Sequence, residues 1–598
     1  MKHPKLRVPD TSRQMVDTFK GYNHNLRIGD GEFFDMKNMT SDHYPVLSPR
    51  KKRGVYASPV SPNGLINKDA LCYVDGTNFV INEYTVDMGL NDEPKQLISM
   101  GAYVIIWPDK KYINTQDLSD YGNIEAFYQS ENVASFDLCK IDGTVYTGAI
   151  KSGSPPEGTE GSGGPENMQL WIDTSTTPHT LKQYSKASAA WTQIPTTYIK
   201  ISAPNIAQNF KQYDAVKITG FPTDCKQLAD LEGITFPLWE AYHDPGDDER
   251  VEGTSDFVVI VGILDDTVTY SSKLKLERTV PEMDFVIESG NRLFGCRYGT
   301  AANGEVVNEI YASKLGDFRN WNCFMQISTD SWVGGVGTDG QFTGAHKDPL
   351  GYPLFFKENC VHKVYGNYPA NFQIQTTECR GVQKGCERSL AIVNETLFYK
   401  SRGGVCAYDG SLPSEVSYAM GNEAYSDAVG GSHGNKYYIS MKDVSGNYNL
   451  FIFDTSKGMW HKEDSFKADY FCSCDSEMYA ISGGEIVTML GSGTPVDDPV
   501  EWMVQTGEIG LTSPDMKYIS RLNVRMQLDI GSEVRFYAQY DFSDAWEPLF
   551  TMQGTSLRSF SIPIRPKRCD HMKLRIEGVG EAKIYSIVKT IEQGSELS

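Results

Sequence analysis

A short hairpin unit recurs five times between residues 293 and 490, and its period constrains the fold more than any other feature of the chain. The first strands read Leu293-Phe294, Leu354-Phe355-Phe356, Leu397-Phe398-Tyr399, Tyr437-Tyr438-Ile439 and Met478-Tyr479-Ala480. Their partners read Glu309-Ile310-Tyr311, His362-Lys363-Val364-Tyr365, Val405 to Asp409, Leu450 to Asp454 and Glu485-Ile486-Val487. The units starting at 354, 397, 437 and 478 lie 43, 40 and 41 residues apart. A period of roughly 40–45 residues with several short strands per repeat is that of a β-propeller blade, which buries its apolar faces only against its neighbours. Two earlier hairpins have the same form. One joins Leu71-Cys72-Tyr73-Val74 to Phe79-Val80-Ile81 across Asp75-Gly76, a strong turn signal; the other joins Ala102–Trp107 to Lys111-Tyr112-Ile113. Six or seven blades are expected, depending on whether terminal strands complete one between them.

The expected class is therefore all-β: a six- or seven-bladed β-propeller with inserted small β-domains and a C-terminal β-sandwich. Residues 1–46 read as an irregular N-terminal arm, 47–150 as the first part of the propeller and 286–492 as its second part. Between them, 151–285 opens with a Gly/Ser-rich linker (153–164) and continues in strands of a different pattern, such as Phe257 to Val261. After Gly491-Ser492-Gly493, residues 493–598 alternate apolar and polar side chains, as in Val534 to Ala538 and Met572 to Ile576. That is the mark of sheets with one face in water.

Charge and motifs exclude more than they assign. The net charge is −21, so the chain on average repels phosphate, and a DNA-gripping protein would need a basic face. Two basic clusters stand out, Arg50-Lys51-Lys52-Arg53 and Arg565, Lys567 and Arg568; they are candidates for an assembly interface. The twelve cysteines lack zinc spacing and read as reduced core residues. No apolar stretch suggests a signal peptide or a membrane span. The acids Asp244, Asp247, Asp248, Glu249 and Glu252 lack the spacing of a calcium loop and read as an exposed turn. No nucleophile elbow, phosphate loop or His-Glu-x-x-His occurs, and His362 and His461 read as core or surface residues rather than ligands. Asp409 and Asp454 occupy equivalent blade positions, which suggests a glycosidase pair. However, Asp454-Thr455-Ser456-Lys457-Gly458 reads as a turn held by its own side chains. No catalytic, metal or cofactor residue is assigned, and no enzymatic activity is expected.

Some segments resemble a known family. Phe19-Lys20-Gly21-Tyr22-Asn23, Asp35-Met36-Lys37-Asn38-Met39 and Tyr44 to Arg50 look like the opening of bacteriophage packaged-DNA stabilisation proteins. Pro353 to Asn359, Leu574 to Gly578 and Lys583 to Ile587 are similar to the same group, and the plan resembles tail hub or nozzle proteins. The resemblance implies a structural virion protein forming a ring, commonly hexameric, that continues and closes the DNA channel below the head-to-tail connector. Its implied partners are further copies of itself, adaptor and portal proteins, tail fibres and the passing double-stranded DNA, and its implied place is the virion, after assembly in the host cytoplasm. The alternative is a carbohydrate-binding or glycoside-acting propeller.

Overall fold

The computed structural model describes residues 11–593 except 132, 158–163, 248–249, 272, 302–303, 512–514 and 542. Asp248 and Glu249 of the acidic run, and 158–163 of the linker, thus lie outside the described residues.

Seven antiparallel blades of four strands form a propeller, the sixth continuous with the C-terminal sheet and the seventh carrying Thr494–Pro495 as a fifth strand, and all seven hairpins seen in the sequence are the second and third strands of its blades. Blade 1 comprises Pro62–Lys68, Ala70–Asp75, Asn78–Ile81 and Tyr84–Asp87. Blade 2 comprises Gln96–Met100, Tyr103–Trp107, Lys111–Asn114 and Tyr121–Asn123. Blade 3 begins at Phe285–Ser289, blade 4 at Gly344–Lys347, blade 5 at Ala391–Val393, blade 6 at Tyr425–His433 and blade 7 at Tyr470–Cys474. Neighbouring first strands touch in sequence and blade 7 returns to blade 1, so the ring is closed; between blades 4 and 5 the short turn Glu387–Ser389 bridges the gap. Blade 7 takes its outer strand, Gly54–Ala57, from the N-terminal side of the chain, antiparallel to Glu485–Thr488. Terminal strands do share one blade, which sets the count at seven.

The central strands carry the repeat signal because both of their faces are covered. Leu354, Phe355 and Phe356 are all fully buried, as are Leu397 and Tyr399. The innermost strands are leaner because blades crowd near the axis. At Gly431 an added Cβ would come within 2.4 Å of the Phe471 Cβ on the next blade.

The inserted region starts before the expected 151, since Ala126–Gln129 and Ala134–Cys139 already pair with its later strands; it leaves after blade 2 and returns before blade 3. It folds into three sheets around one core that includes Phe136, Ile199, Ile201, Val258 and Ile260. The C-terminal sandwich is built on Lys517–Tyr540, a single strand of 24 residues where the alternation predicts two. Its first half pairs with Ala582–Gln593 and its second half with Met572–Val579, so one strand serves both sheets. Residues 1–46 are not an irregular arm where they are described: Thr11–Val16 and Glu32–Lys37 are strands of this sandwich. Tyr22 then pairs with Trp460 and ties the sandwich to blade 6. A strand whose partners lie some 500 residues away leaves no local signal.

The twelve cysteines are all free thiols. Among the described residues no helix is long and apolar enough to cross a membrane. His362 and His461 are core residues, 0% and 3% exposed, and burial pushes each down to about 4 from the usual 6.5. The unfolded chain therefore binds more protons than the folded one between those values, and stability falls as pH drops from 6.5 toward 4. Each histidine contributes roughly 1.4 kcal/mol per pH unit to that slope. Thermal melts across this window are expected to show the decline, and a His362→Gln/His461→Gln double variant a shallower one; equal slopes would refute the assignment.

Candidate functional site

The basic residues singled out in the sequence do not form an open interface. Arg50 and Arg53 are 5% and 6% exposed and are spent inside the molecule. Arg53 places Nη2 2.6 Å from Glu463 and Nη1 2.9 Å from Asp464, while Arg50 reaches Asp497 at 2.7 Å and Glu463 at 3.2 Å. Phe466 lies under the Arg53 guanidinium at 4.4 Å. This network holds the closing strand Gly54–Ala57 to the blades it joins. Lys51 is exposed, and Lys52 pairs with Asp498 at 2.8 Å. Lys567 pairs with Glu547, and Arg565 and Arg568 are exposed on the sandwich. Nothing brings the two clusters into one surface.

Asp409 and Asp454 hold turns, whereas Asp244 of the acidic run is buried and not part of an exposed turn. Asp409 accepts the N–H and hydroxyl of Ser411; Asp454 accepts those of Ser456, and its other oxygen takes the Ser41 hydroxyl. In the acidic run, Glu252 and Asp256 flank His243 at 3.0 and 2.9 Å, and Asp247 pairs with Arg250. Among the described residues no group of His, Cys, Asp and Glu is arranged to hold a metal ion.

The strongest candidate lies where the insertion meets the propeller. A cleft of 820 Å³ opens between the outer edge of blade 2, the loop after the third strand of blade 3 and the insertion's entry and exit strands. Those two strands, Ala126–Gln129 and Lys275–Arg278, are antiparallel partners, with Phe127 opposite Glu277 and Ala126 opposite Arg278. An inserted domain must leave and re-enter its host at neighbouring points, which is why residues so distant in sequence share one ladder. One residue further along the same register sets Glu125 beside Thr279. Glu125 and Glu277 are then diagonal neighbours on one face, a relation that separates Cα atoms by about 7–8 Å. Glu125 accepts Lys110 Nζ at 2.9 Å and the Val280 N–H at 3.1 Å. Glu277 has no hydrogen-bond or ionic partner among the described residues. Phe127 and Tyr121 are 54% and 44% exposed at the cleft, and Gln208 and Asn209 supply amides.

A buried polar node fixes this cleft. Asp214, Arg278 and Asn320 are 2%, 5% and 1% exposed. The Arg278 guanidinium binds the Asp214 carboxylate and also donates to the Ile124 carbonyl from Nε and Nη2, at 3.1 and 3.0 Å. Asn320, on the blade 3 loop, donates to Asp214 at 3.1 Å and accepts the Ala215 N–H at 2.8 Å. Lys314 to Trp321 forms the loop after the third strand of blade 3, and Asp317 caps it by accepting the Arg319 N–H. It also docks the insertion, which the sequence did not reveal. A second cleft, 920 Å³, lies within the insertion around the His179–Asp265 pair at 2.8 Å; no aromatic ring lines it.

No family model and no curated protein matches the sequence. Among solved structures, an exo-β-1,3-galactanase from Phanerochaete chrysosporium aligns at 9% identity over 51% of this chain and 94% of its own, with a TM-score of 0.22. A glycoside hydrolase family 43 arabinoxylan arabinofuranohydrolase from Bacillus subtilis aligns at 8% identity, over 50% and 94%, with a TM-score of 0.17. A Trypanosoma rangeli sialidase aligns at 9% identity, over 69% and 86%, with a TM-score of 0.17. These findings correct two expectations, that of a structural ring protein closing a phage DNA channel and that of a chain without enzymatic activity. The three proteins named are two glycoside hydrolases and a sialidase, and none of them is a phage protein. At such low similarity they say nothing about individual residues, and the assignment of a site rests on the cleft alone.

Two sets of variants test the packing. Asn320→Ala is expected to cost about 1–3 kcal/mol, since it leaves a buried N–H unpaired, and Asp214→Ala about 3–5 kcal/mol, since it strands the Arg278 charge; denaturant melts measure both. Arg53→Met is expected to lower stability at neutral pH. Burial acts to raise the Asp464 pKa, but Arg53 and Arg50 outweigh it and hold the carboxyl below its usual 3.8. Its contribution is therefore present above that pH and lost below it. Melts at pH 7 and pH 3 should differ less for Arg53→Met than for the wild type.

Proposed function

We propose that this chain acts on glycans, as a glycoside-acting propeller whose site is the cleft between blades 2 and 3 and the inserted sheets. One observation carries the reading: Glu277, a carboxylate with no partner among the described residues, stands opposite an exposed aromatic ring, Phe127, with a second carboxylate diagonal to it. Ligand sites combine apolar faces with a few fixed polar groups. Here the rings of Phe127 and Tyr121 offer platforms to the apolar face of a sugar, and the amides of Gln208 and Asn209 offer partners to its hydroxyls.

Hydrolysis of a glycosidic bond needs a proton donor for the leaving oxygen and a second carboxylate, about 5–5.5 Å away to act as nucleophile or about 6.5–9.5 Å away to activate water. Glu277, whose carboxylate has no partner among the described residues, is the group free to pass a proton to the leaving oxygen. Glu125 is held by Lys110 and the Val280 N–H, which fixes its position for orienting a water molecule.

The test is a reducing-end assay on a panel of oligosaccharides, paired with calorimetric binding. Glu277→Gln and Glu125→Gln are each expected to lower turnover by about 10²–10⁴-fold with binding retained. Binding without turnover by the wild type would restrict the reading to glycan capture. The proposal falls if no oligosaccharide binds, or if turnover survives both substitutions.

A further inference from the structure

The cleft's charges do not cancel locally. Asp109 is paired with Lys95 at 2.6 Å, Glu125 with Lys110 at 2.9 Å, and Arg278 with Asp214. Glu277 on the insertion's wall and Lys211 on the insertion have no ionic partner among the described residues, and Arg319 on the blade 3 loop has Asp317 alone, at 3.6 Å.

Arg319 is the more informative of the two cations. It is largely buried, with a side chain 22% exposed, and its guanidinium lies 5.9 Å from the Tyr112 ring and 5.6 Å from that of Phe318. Its one acidic neighbour within 4 Å is Asp317, at 3.6 Å from Nε. That carboxylate is already engaged by the Arg319 N–H and the Asn320 amide. Among the described residues none of the side-chain nitrogens of Arg319 makes a hydrogen bond, and Nε is buried without an acceptor. An oriented guanidinium with unused donors at the wall of a cleft is suited to an oxyanion, which it can take through two parallel N–H donors. Lys211, exposed beside it in the same cleft, has an ammonium with no partner among the described residues.

We propose that the cleft selects an acidic glycan, a sugar whose carboxylate or sulfate pairs with Arg319 while its scissile bond faces Glu277. The inference rests on the glycan reading above and names the substrate class of the same site. A chain of net charge −21 repels polyanions over most of its surface, so recognition of such a glycan depends on cations whose donors are not already spent.

Calorimetry on the full chain distinguishes the possibilities with three probes: an oligosaccharide of uronic acids, a sulfated neutral oligosaccharide and an unmodified neutral one. The expected result is at least about 10-fold tighter binding of one acidic probe over the neutral probe at low salt, declining as salt is raised. Which acidic probe wins identifies the oxyanion. Arg319→Gln is expected to abolish the preference and Arg319→Lys to restore part of it, because a point charge replaces the fork. Lys211→Ala, at an exposed position, is expected to flatten the salt dependence while leaving the melting temperature unchanged. Equal binding of acidic and neutral probes, or a preference that survives Arg319→Gln, overturns this inference and leaves the glycan reading intact. Failure to bind any of the three, or any other oligosaccharide, overturns the glycan reading itself.

Discussion

The Asp214–Arg278–Asn320 node determines where the inserted sheets sit, and the cleft exists only because of that placement. Arg278 lies on the insertion's last strand, Asp214 in its interior and Asn320 on a loop of blade 3, so the three hold both bodies at once. A buried charge pair is weak evidence for stability by itself, because desolvation offsets the attraction. Its value here is positional. The carboxylate accepts from the guanidinium, the Asn320 amide and the Lys211 N–H, and each of those donors comes from a different segment. Replacing the node with apolar side chains would keep the contact but lose its register, and with it the placement of Lys211 and Arg319 in one cleft.

Ring closure uses the same economy. A propeller has to join its last blade to its first, and Gly54–Ala57 does so by adding an early strand to a late sheet. Arg50 and Arg53 lie just before that strand, and Glu463, Asp464 and Asp497 surround them. A run of four basic residues in an acidic chain suggests an exposed patch for a partner. Two of the four are instead buried counter-ions for the chain's own carboxylates. Linear spacing could not separate these cases, since the acids lie more than 400 residues downstream.

The repeat was legible because each blade's central hairpin is covered on both faces and so reads as a dense apolar run. Edge strands such as Ser414–Glu415 and Trp332–Gly335 are short and partly exposed, and they carry no such signal. The sandwich strands were legible by alternation, but their union into one long strand was not, because residues 529–533 look like a turn. Of the site, Arg319 sits in a loop that carries no repeat signal. Glu125 and Glu277 each sit in unremarkable polar–apolar text. The one usable clue was topological: the two ends of any insertion must meet.

Period, alternation and turn chemistry are local properties, and the sequence by itself determined them: an all-β chain, a blade repeat, an interruption and a terminal sandwich. The tertiary structure alone decided which charges are spent and which are free. Arg53 and Arg319 are the same residue type in similar acidic surroundings, yet both terminal nitrogens of Arg53 donate to Glu463 and Asp464 while the side chain of Arg319 makes no hydrogen bond among the described residues. That difference depends on distances of a few ångströms between segments far apart in the chain, and Coulomb and hydrogen-bond energies vary steeply over such distances.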